Sequence, residues 1–256
     1  MKTEKYPKEL LALIQGQDFC INSTGMSGSQ VLESNNAVLK IQPSAECFSE
    51  ELKMLKWLDG RMPVPKVLYH GVSANKSYLL MTKIKGRMAC DPIYLTAPEL
   101  LIPLLADALK RLWSADITSC PRKRTLDVEL SEIEPRLNIH ETTQFMQKEG
   151  FSSPHELFRW LIENRPQEEY VLSHGDFCLP NIFLSGESFS GYIDLGDAGI
   201  ADKWRDISLC YRSMKHNVDG TYGRYDGVDP DRLFIELGIK KDEKKLRYYL
   251  LLDELF

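Results

Sequence analysis

The sequence has 256 residues, enough to bury a large core as one domain or as two lobes, and its 27% charged and 43% apolar residues exclude a disordered or membrane chain. A formal net charge of -5 disfavours a nucleic-acid partner, whose phosphates would select a basic face, and suits a small cationic substrate better. No stretch approaches the roughly 20 apolar residues of a membrane span, and the opening Met1-Lys2-Thr3-Glu4-Lys5 lacks the apolar core of a signal peptide, so a cytoplasmic protein with no membrane partner is expected.

Residues 20–31 read as two apolar-bearing strands joined by the small-residue loop Thr24-Gly25-Met26-Ser27-Gly28-Ser29, whose backbone amides could approach phosphate oxygens. A flexible hairpin tip has the same composition, and the G-x-G-x-x-G pattern is incomplete. After an Asn35-Asn36 turn, Ala37-Val38-Leu39-Lys40-Ile41 is a β-rich run with one lysine near its end. Over residues 46–60, Phe48, Leu52, Leu55 and Leu58 recur at helical spacing and Gly60 closes the helix. Glu51 shares that inward stripe and Glu50 lies one position off it, so Glu51 is the expected partner of Lys40.

Pro63 and Pro65 break the chain before Lys66-Val67-Leu68-Tyr69, and residues 77–82 form another strand that leaves through Lys83-Ile84-Lys85-Gly86. Beyond Gly86 the pattern is helical. A leucine-rich helix spans 100–113, which Pro103 must start or kink, and an amphipathic helix over 154–162 begins at Pro154. Residues 127–150 have mixed periodicity, 201–207 lead into further helices, and 246–252 read as an apolar helix. Cys20, Cys47, Cys90, Cys120, Cys178 and Cys210 are scattered without a C-x-x-C pair and read as reduced thiols. There is no internal repeat, and the lobe boundary is expected between residues 86 and 96.

The most informative segment is His174-Gly175-Asp176-Phe177-Cys178-Leu179-Pro180-Asn181, followed by Ile193-Asp194-Leu195-Gly196. It reads as a phosphoryl-transfer centre. In the protein-kinase template an aspartate orients the attacking hydroxyl, an asparagine five residues on binds a metal ion, and an aspartate opening a D-x-G turn carries the metal that bridges the ATP phosphates. Asp176, Asn181 and Asp194 fit those places, bracketing a hairpin of Asn181-Ile182-Phe183-Leu184 and Gly191-Tyr192-Ile193. The chemistry needs a carboxylate that accepts a proton late, an amide oxygen that binds Mg2+ without adding charge, and a hard carboxylate ligand. Aspartate and asparagine beside glycine and proline are also ordinary turn residues, but the two motifs in this order favour the catalytic reading.

With these residues in place, the chain resembles the aminoglycoside 3'-phosphotransferases, kinase-like antibiotic-modifying enzymes that use ATP and Mg2+. The likeness runs nearly end to end. It is carried by Ser173-His174-Gly175-Asp176 with Asn181-Ile182-Phe183, by Gly191-Tyr192-Ile193-Asp194-Leu195-Gly196 continuing to Ala201-Asp202-Lys203-Trp204, by Leu58-Asp59-Gly60 with Pro63-Val64-Pro65-Lys66-Val67, and by Leu252-Asp253-Glu254-Leu255-Phe256. The resemblance implies an α+β, bilobal protein-kinase-like fold: a small β-sheet lobe with one main helix over 1–90, and a larger, mostly helical catalytic lobe over 91–256. It implies Asp176 as the base, Asn181 and Asp194 as metal ligands, Lys40 and Glu51 as the phosphate-positioning pair, Gly25, Met26 and Ser27 in the phosphate loop, and backbone groups around Thr82 and Ile84 holding adenine. Asp176, Asp197, Asp253, Glu254 and Phe256 with its carboxylate are implied on the acceptor side, where Glu141 and Glu149 add nearby negative charge.

Departures from the family pattern concentrate on that acceptor side. Asp197 stands where relatives carry arginine, His216 and Asn217 stand where they carry acids, and Thr143 and Met146 stand where some carry glutamates. Val38 occupies the place of an aromatic ring that stacks on adenine in some relatives. Three functions are therefore weighed: an aminoglycoside kinase, a kinase of another small cationic alcohol, and a nucleotide-binding pseudokinase. The last is disfavoured because lysine, base and metal residues are all present. The particular aminoglycoside and hydroxyl, GTP in place of ATP, and a monomer against a weak dimer are left open by sequence.

Overall fold

The computed structural model describes residues 6–22, 30–43 and 48–256. Gly25, Met26 and Ser27, expected in the phosphate loop, and Cys47 lie outside the described residues. The chain divides into two compact units, Met1–Lys85 with Gly191–Gly196, and Gly86–Ser190 with Asp197–Phe256.

In the first unit, α1 (Lys8–Ile14) is followed by β1 (Cys20–Asn22), β2 (Gln30–Glu33), β3 (Ala37–Gln42), α2 (Ser49–Leu58), β4 (Val67–Ser73) and β5 (Lys76–Thr82). The strands form an antiparallel sheet in the order β1-β2-β3-β5-β4. Period-2 alternation sorts β3 cleanly: Ala37, Leu39 and Ile41 are buried, while Val38, Lys40 and Gln42 share the opposite, half-buried face. The buried face packs with Leu10, Leu32, Tyr78 and Leu80 into one core cluster, to which Tyr6, Ile14, Phe19 and Tyr69 add their rings and methyls. The short helix α1, for which no expectation was drawn from the sequence, is thereby held through Leu10 and Ile14. Ala74 and Asn75 take left-handed φ of 50° and 58° in the two-residue link between β4 and β5, the geometry that matches strand twist. Gly60, at φ 75°, ends the α2 turn.

The second unit contains β6 (Arg87–Met88), α3 (Pro92–Leu95), α4 (Pro98–Trp113), α5 (Leu126–Ile133), α6 (Gln144–Lys148), α7 (Pro154–Glu163), β7 (Tyr170–Ser173), β8 (Ile182–Ser185), most of β9 (Ser188–Tyr192), β10 (Gly199–Asp202), α8 (Lys203–His216), α9 (Arg232–Leu237) and α10 (Glu243–Asp253). The α4 helix starts at Pro98, where a proline has no orphaned N–H to lose, and Pro103 lies inside it; Leu101, Ile102, Leu105, Leu109 and Leu112 form its buried stripe. The β7 and β10 strands pair antiparallel, with Ser173 opposite Gly199 and Tyr170 opposite Asp202. Asp202 caps α8 by accepting from the Trp204 N–H and is held in turn by the Tyr249 hydroxyl at 2.8 Å, which ties α10 to the base of α8.

The division differs in detail from the expected 1–90 and 91–256. Residues 87–89 go with the second unit because β6 pairs with β8 and the Ala89 N–H donates to the Ile182 carbonyl. Residues 191–196 return to the first because the Tyr192 N–H donates to the Pro63 carbonyl, against which Gly191 sits so closely that an added Cβ would lie 2.6 Å from that oxygen. Among the described residues, no helix is long and apolar enough to cross a membrane.

Leu39 is fully buried at the centre of the sheet's core. Leu39→Ala should lower stability by about 2–5 kcal/mol, the usual cost of such a cavity. Urea unfolding followed together with amide exchange of β3 and β5 checks it, and a loss below about 1 kcal/mol would contradict this placement of the core.

Candidate active site

In the first unit, Lys40 places its Nζ 2.7 Å from Glu51 Oε1 and 3.0 Å from Asp194 Oδ1. Burial works against the ammonium, but the two carboxylates outweigh it and raise the Lys40 pKa above its ordinary value. The helical phase of α2 decides which glutamate takes part: Glu51 is buried beside Lys40, whereas Glu50 is exposed and pairs with Lys53 at 2.6 Å. Asp194 adopts a left-handed φ of 59° and leaves its side chain 48% exposed. Holding a non-glycine residue there costs of order 1–3 kcal/mol, although aspartate is among the side chains that tolerate it best. The result is an accessible carboxylate fixed next to a buried cation.

At the exit of β5, the Thr82 N–H donates to the Lys66 carbonyl and the Lys83 N–H to the Asn36 carbonyl. The backbone of Ile84, next along the chain, makes no hydrogen bond with the described residues. Val38 is half-buried on the same face of β3 as Lys40.

In the second unit, the loop leaving β7 is held from both sides. The buried Asp206 carboxylate accepts from the Ser173 hydroxyl at 2.9 Å, the His174 N–H at 2.8 Å and the Gly175 N–H at 2.9 Å. Burial pushes this carboxyl up from its usual range, against the pull of the donors around it. The neighbouring Arg205 donates from Nε to the Gly175 carbonyl at 3.1 Å. Gly175 has φ 83°, and a Cβ there would lie 2.1 Å from the Asp197 carbonyl oxygen, so only glycine fits.

Asp176 follows this held peptide. Asn181 Nδ2 donates both to the Asp176 carbonyl at 3.0 Å and to its carboxylate at 2.8 Å. The Asn181 amide is thus turned with its donors on Asp176 and its oxygen left to accept elsewhere. The Cys178 N–H also donates to the Asp176 carbonyl, at 2.8 Å, and burial followed by the Asp176 charge raises the Cys178 thiol well above its ordinary pKa. That thiol is protonated and inert.

The expected acceptor-side residues also fall in the second unit, and most are already engaged. Asp253 pairs with Arg212 at 2.6 Å, and Glu254 accepts from the Thr143 hydroxyl at 2.5 Å. Asp197 is exposed and faces Arg122 at 3.6 Å and Arg124 at 3.9 Å. The Phe256 ring lies 5.1 Å from the Arg124 guanidinium and 5.5 Å from that of Arg205. Asn217 caps the end of α8, donating to the Ser213 carbonyl, and His216 packs edge-on against Tyr222. Met146 is fully buried, and Glu149 pairs with Arg247 at 2.5 Å, so neither is free for a ligand.

Asp206, Arg205 and Arg212 carry no motif and were not singled out by sequence. Asp206 left one trace, a lone acid four residues after Asp202 among the apolar Ile207, Leu209 and Cys210.

A kinase-like division into an antiparallel sheet unit with one main helix and a mostly helical unit, carrying a buried lysine–glutamate pair and an aspartate–asparagine loop, defines a phosphotransferase class. The chain belongs to the phosphotransferase enzyme family, whose model matches residues 23–233. It is 37% identical to the aminoglycoside 3'-phosphotransferase of Niallia circulans, over 99% of this chain and 98% of that protein. It is likewise 37% identical to the aminoglycoside 3'-phosphotransferase of Enterococcus faecalis, over 97% of each. Its structure resembles that of the aminoglycoside phosphotransferase APH(3'')-Id of Streptomyces rimosus in complex with ADP and streptomycin, with a TM-score of 0.77 and 25% identity over 96% of this chain and 97% of that one.

Asp206→Ala would leave two backbone N–H groups and the Ser173 hydroxyl without their buried acceptor. It should lower unfolding free energy by about 3–5 kcal/mol and speed exchange of the His174 and Gly175 amides. Unchanged exchange at those amides would show that the loop is held by other contacts.

Proposed function

We propose that this protein transfers the γ-phosphoryl group of ATP, with Mg2+, to a hydroxyl of an aminoglycoside, the 3' hydroxyl by analogy with its 37%-identical relatives, and so confers resistance in the cytoplasm. The observation that carries the reading is the Asp176 carboxylate, bound by Asn181 at 2.8 Å on a loop fixed by Asp206, in a chain so similar to those enzymes.

Each unit has its own task. In the first, Lys40 neutralises phosphate oxygens while Glu51 keeps its ammonium in place, and the Ile84 backbone receives the adenine edge. Each unit keeps an oxygen of the kind magnesium takes, which favours one or two side-chain oxygens plus phosphates over an all-protein cage: in the first, Asp194 has one carboxylate oxygen outside its contact with Lys40, and in the second, Asn181 retains its amide oxygen. When bound, Mg2+ would neutralise charge on the phosphates. In the second unit, Asp176 orients the acceptor hydroxyl. As the acceptor oxygen bonds to the γ-phosphorus, the bond from phosphorus to the ADP oxygen breaks, and the hydroxyl proton passes to Asp176.

A second reading, kinase of a less highly charged amino alcohol, is favoured by one observation. Thr143, Met146, His216 and Asn217 carry no acid, and Asp253 is already neutralised by Arg212. An ATP-consumption assay over a panel of aminoglycosides and simple amino alcohols decides between them; turnover with the amino alcohols alone overturns the first.

Asp176→Asn should leave nucleotide binding intact while kcat falls by on the order of 10^2 or more, the span of general-base contributions. Near-normal turnover would remove Asp176 from its role. Glu51→Gln should raise KM for ATP several-fold while Glu50→Gln leaves it unchanged, as steady-state kinetics on both variants can establish; equal effects would mean that the buried pair does not position the phosphates.

A further inference from the structure

The second unit contains a charge cluster that the reaction itself does not call for. Arg205 is buried at the start of α8, and Arg124 is only 3% exposed on the approach to α5. Between them lies one fully buried acid, Glu129, which contacts Arg205 Nη1 and stands 3.2 Å from Arg124 Nε. Glu132, half-exposed, pairs with Arg124 Nη1 at 2.6 Å, and exposed Asp197 faces it at 3.9 Å. Of these three acids only Glu129 is fully buried, and it is shared by the two buried guanidinium groups. Burial and the neighbouring Arg124 charge push the Arg205 pKa down to about 10, so it remains a cation at neutral pH.

A ring adds to the negative potential of these acids. The face of Phe256 covers both guanidinium groups, at 5.1 Å and 5.5 Å, within the range where a ring quadrupole attracts a cation. Phe256 is itself 44% exposed, and so contributes little to the core by burial. Arg205 is also the residue whose Nε donates to the Gly175 carbonyl, the oxygen of the peptide that joins Gly175 to Asp176. The adjacent Asp206 holds the preceding peptide through the Gly175 N–H. A continuous set of contacts thus runs from Phe256 through Arg205 to the peptide that aims Asp176.

We infer that Phe256 is a positioning residue for the catalytic loop, acting through Arg205 on the Gly175–Asp176 peptide, in addition to any contact it makes with the acceptor. The inference rests on the reading of Asp176 as the base, but the contact itself does not depend on which hydroxyl compound is phosphorylated. Removing the ring opens the arginine pair to water and loosens the Arg205 hydrogen bond. The catalytic carboxylate then samples more orientations, and orientation is where a small displacement is felt most in rate.

The experiment compares Phe256→Ala, Phe256→Leu and Phe256→Tyr in the full chain. Kinetics are measured with a saturating aminoglycoside, and acceptor-free ATP hydrolysis and amide exchange at His174, Gly175 and Asp176 are followed alongside. Alanine and leucine should each lower kcat by about tenfold, slow acceptor-free hydrolysis in parallel and accelerate exchange at the three amides, with little change in melting temperature; tyrosine, which keeps the ring, should restore all three. A rise in KM for the aminoglycoside with kcat, hydrolysis and exchange unchanged would overturn the inference and leave Phe256 as a wall of the acceptor pocket. Full function with leucine would also overturn it, since bulk and not the ring would then suffice. If no aminoglycoside is turned over by the wild type, the proposed substrate fails while the exchange measurement still decides the role of Phe256.

Discussion

The Asp206 carboxylate is the contact on which the second unit's chemistry depends. Asp176, the proposed base, lies on a loop between two short strands, where backbone freedom is greatest. Asp206 removes that freedom by accepting from three consecutive residues, Ser173, His174 and Gly175, with one buried group. A buried carboxylate is costly alone, and the cost is offset only while all three donors are in place. Loop and helix start are therefore ordered together or not at all. Asp202, four residues earlier, anchors the same end of α8 to Tyr249, so the helix that aims the loop is itself fixed to α10.

The two units handle charge in opposite ways. In the first, one buried cation meets two acids, and the surplus negative charge sits on exposed Asp194, ready for a cation. The second buries Arg124 and Arg205 among the acids Glu129 and Asp206, and pairs Asp253 and Asp197 with neighbouring arginines. Asp253, with its arginine at 2.6 Å, is held more closely than the exposed Asp197, whose arginines stand at 3.6 and 3.9 Å.

How much of this was legible in the sequence follows from the range of each interaction. The alternation of β3 and the phase of α2 are local, and the same phase that singles out Glu51 in the sequence buries it beside Lys40 while Glu50 stays exposed. The His174–Asn181 motif is local too, and the family resemblance it helped to carry agrees with the family match over residues 23–233. The contacts that hold the site are long-range: Asp206 reaches back 33 residues to Ser173, and Glu254 lies 111 residues from Thr143. No periodicity encodes such a pairing. The four-residue strands β7 and β10 were missed for a related reason, since each is too short to show a pattern and stands only because it pairs with the other. Helix α1 has seven residues, too few to stand alone, and is held by tertiary contact through Leu10 and Ile14.

The return of Gly191–Gly196 to the first unit has a consequence for how the chain is made. Lys40 and Glu51 emerge from the ribosome early, but Asp194, the second acid on Lys40, is separated from Lys85 by the whole of residues 86–190. Domains that are contiguous can fold as they are synthesised, N-terminal first. Here the nascent first unit carries a lysine with only one of its two carboxylates, and the Pro63 carbonyl waits for the Tyr192 N–H. Its last contacts close only after most of the second unit has been translated, which makes completion of the early unit a late event in biosynthesis.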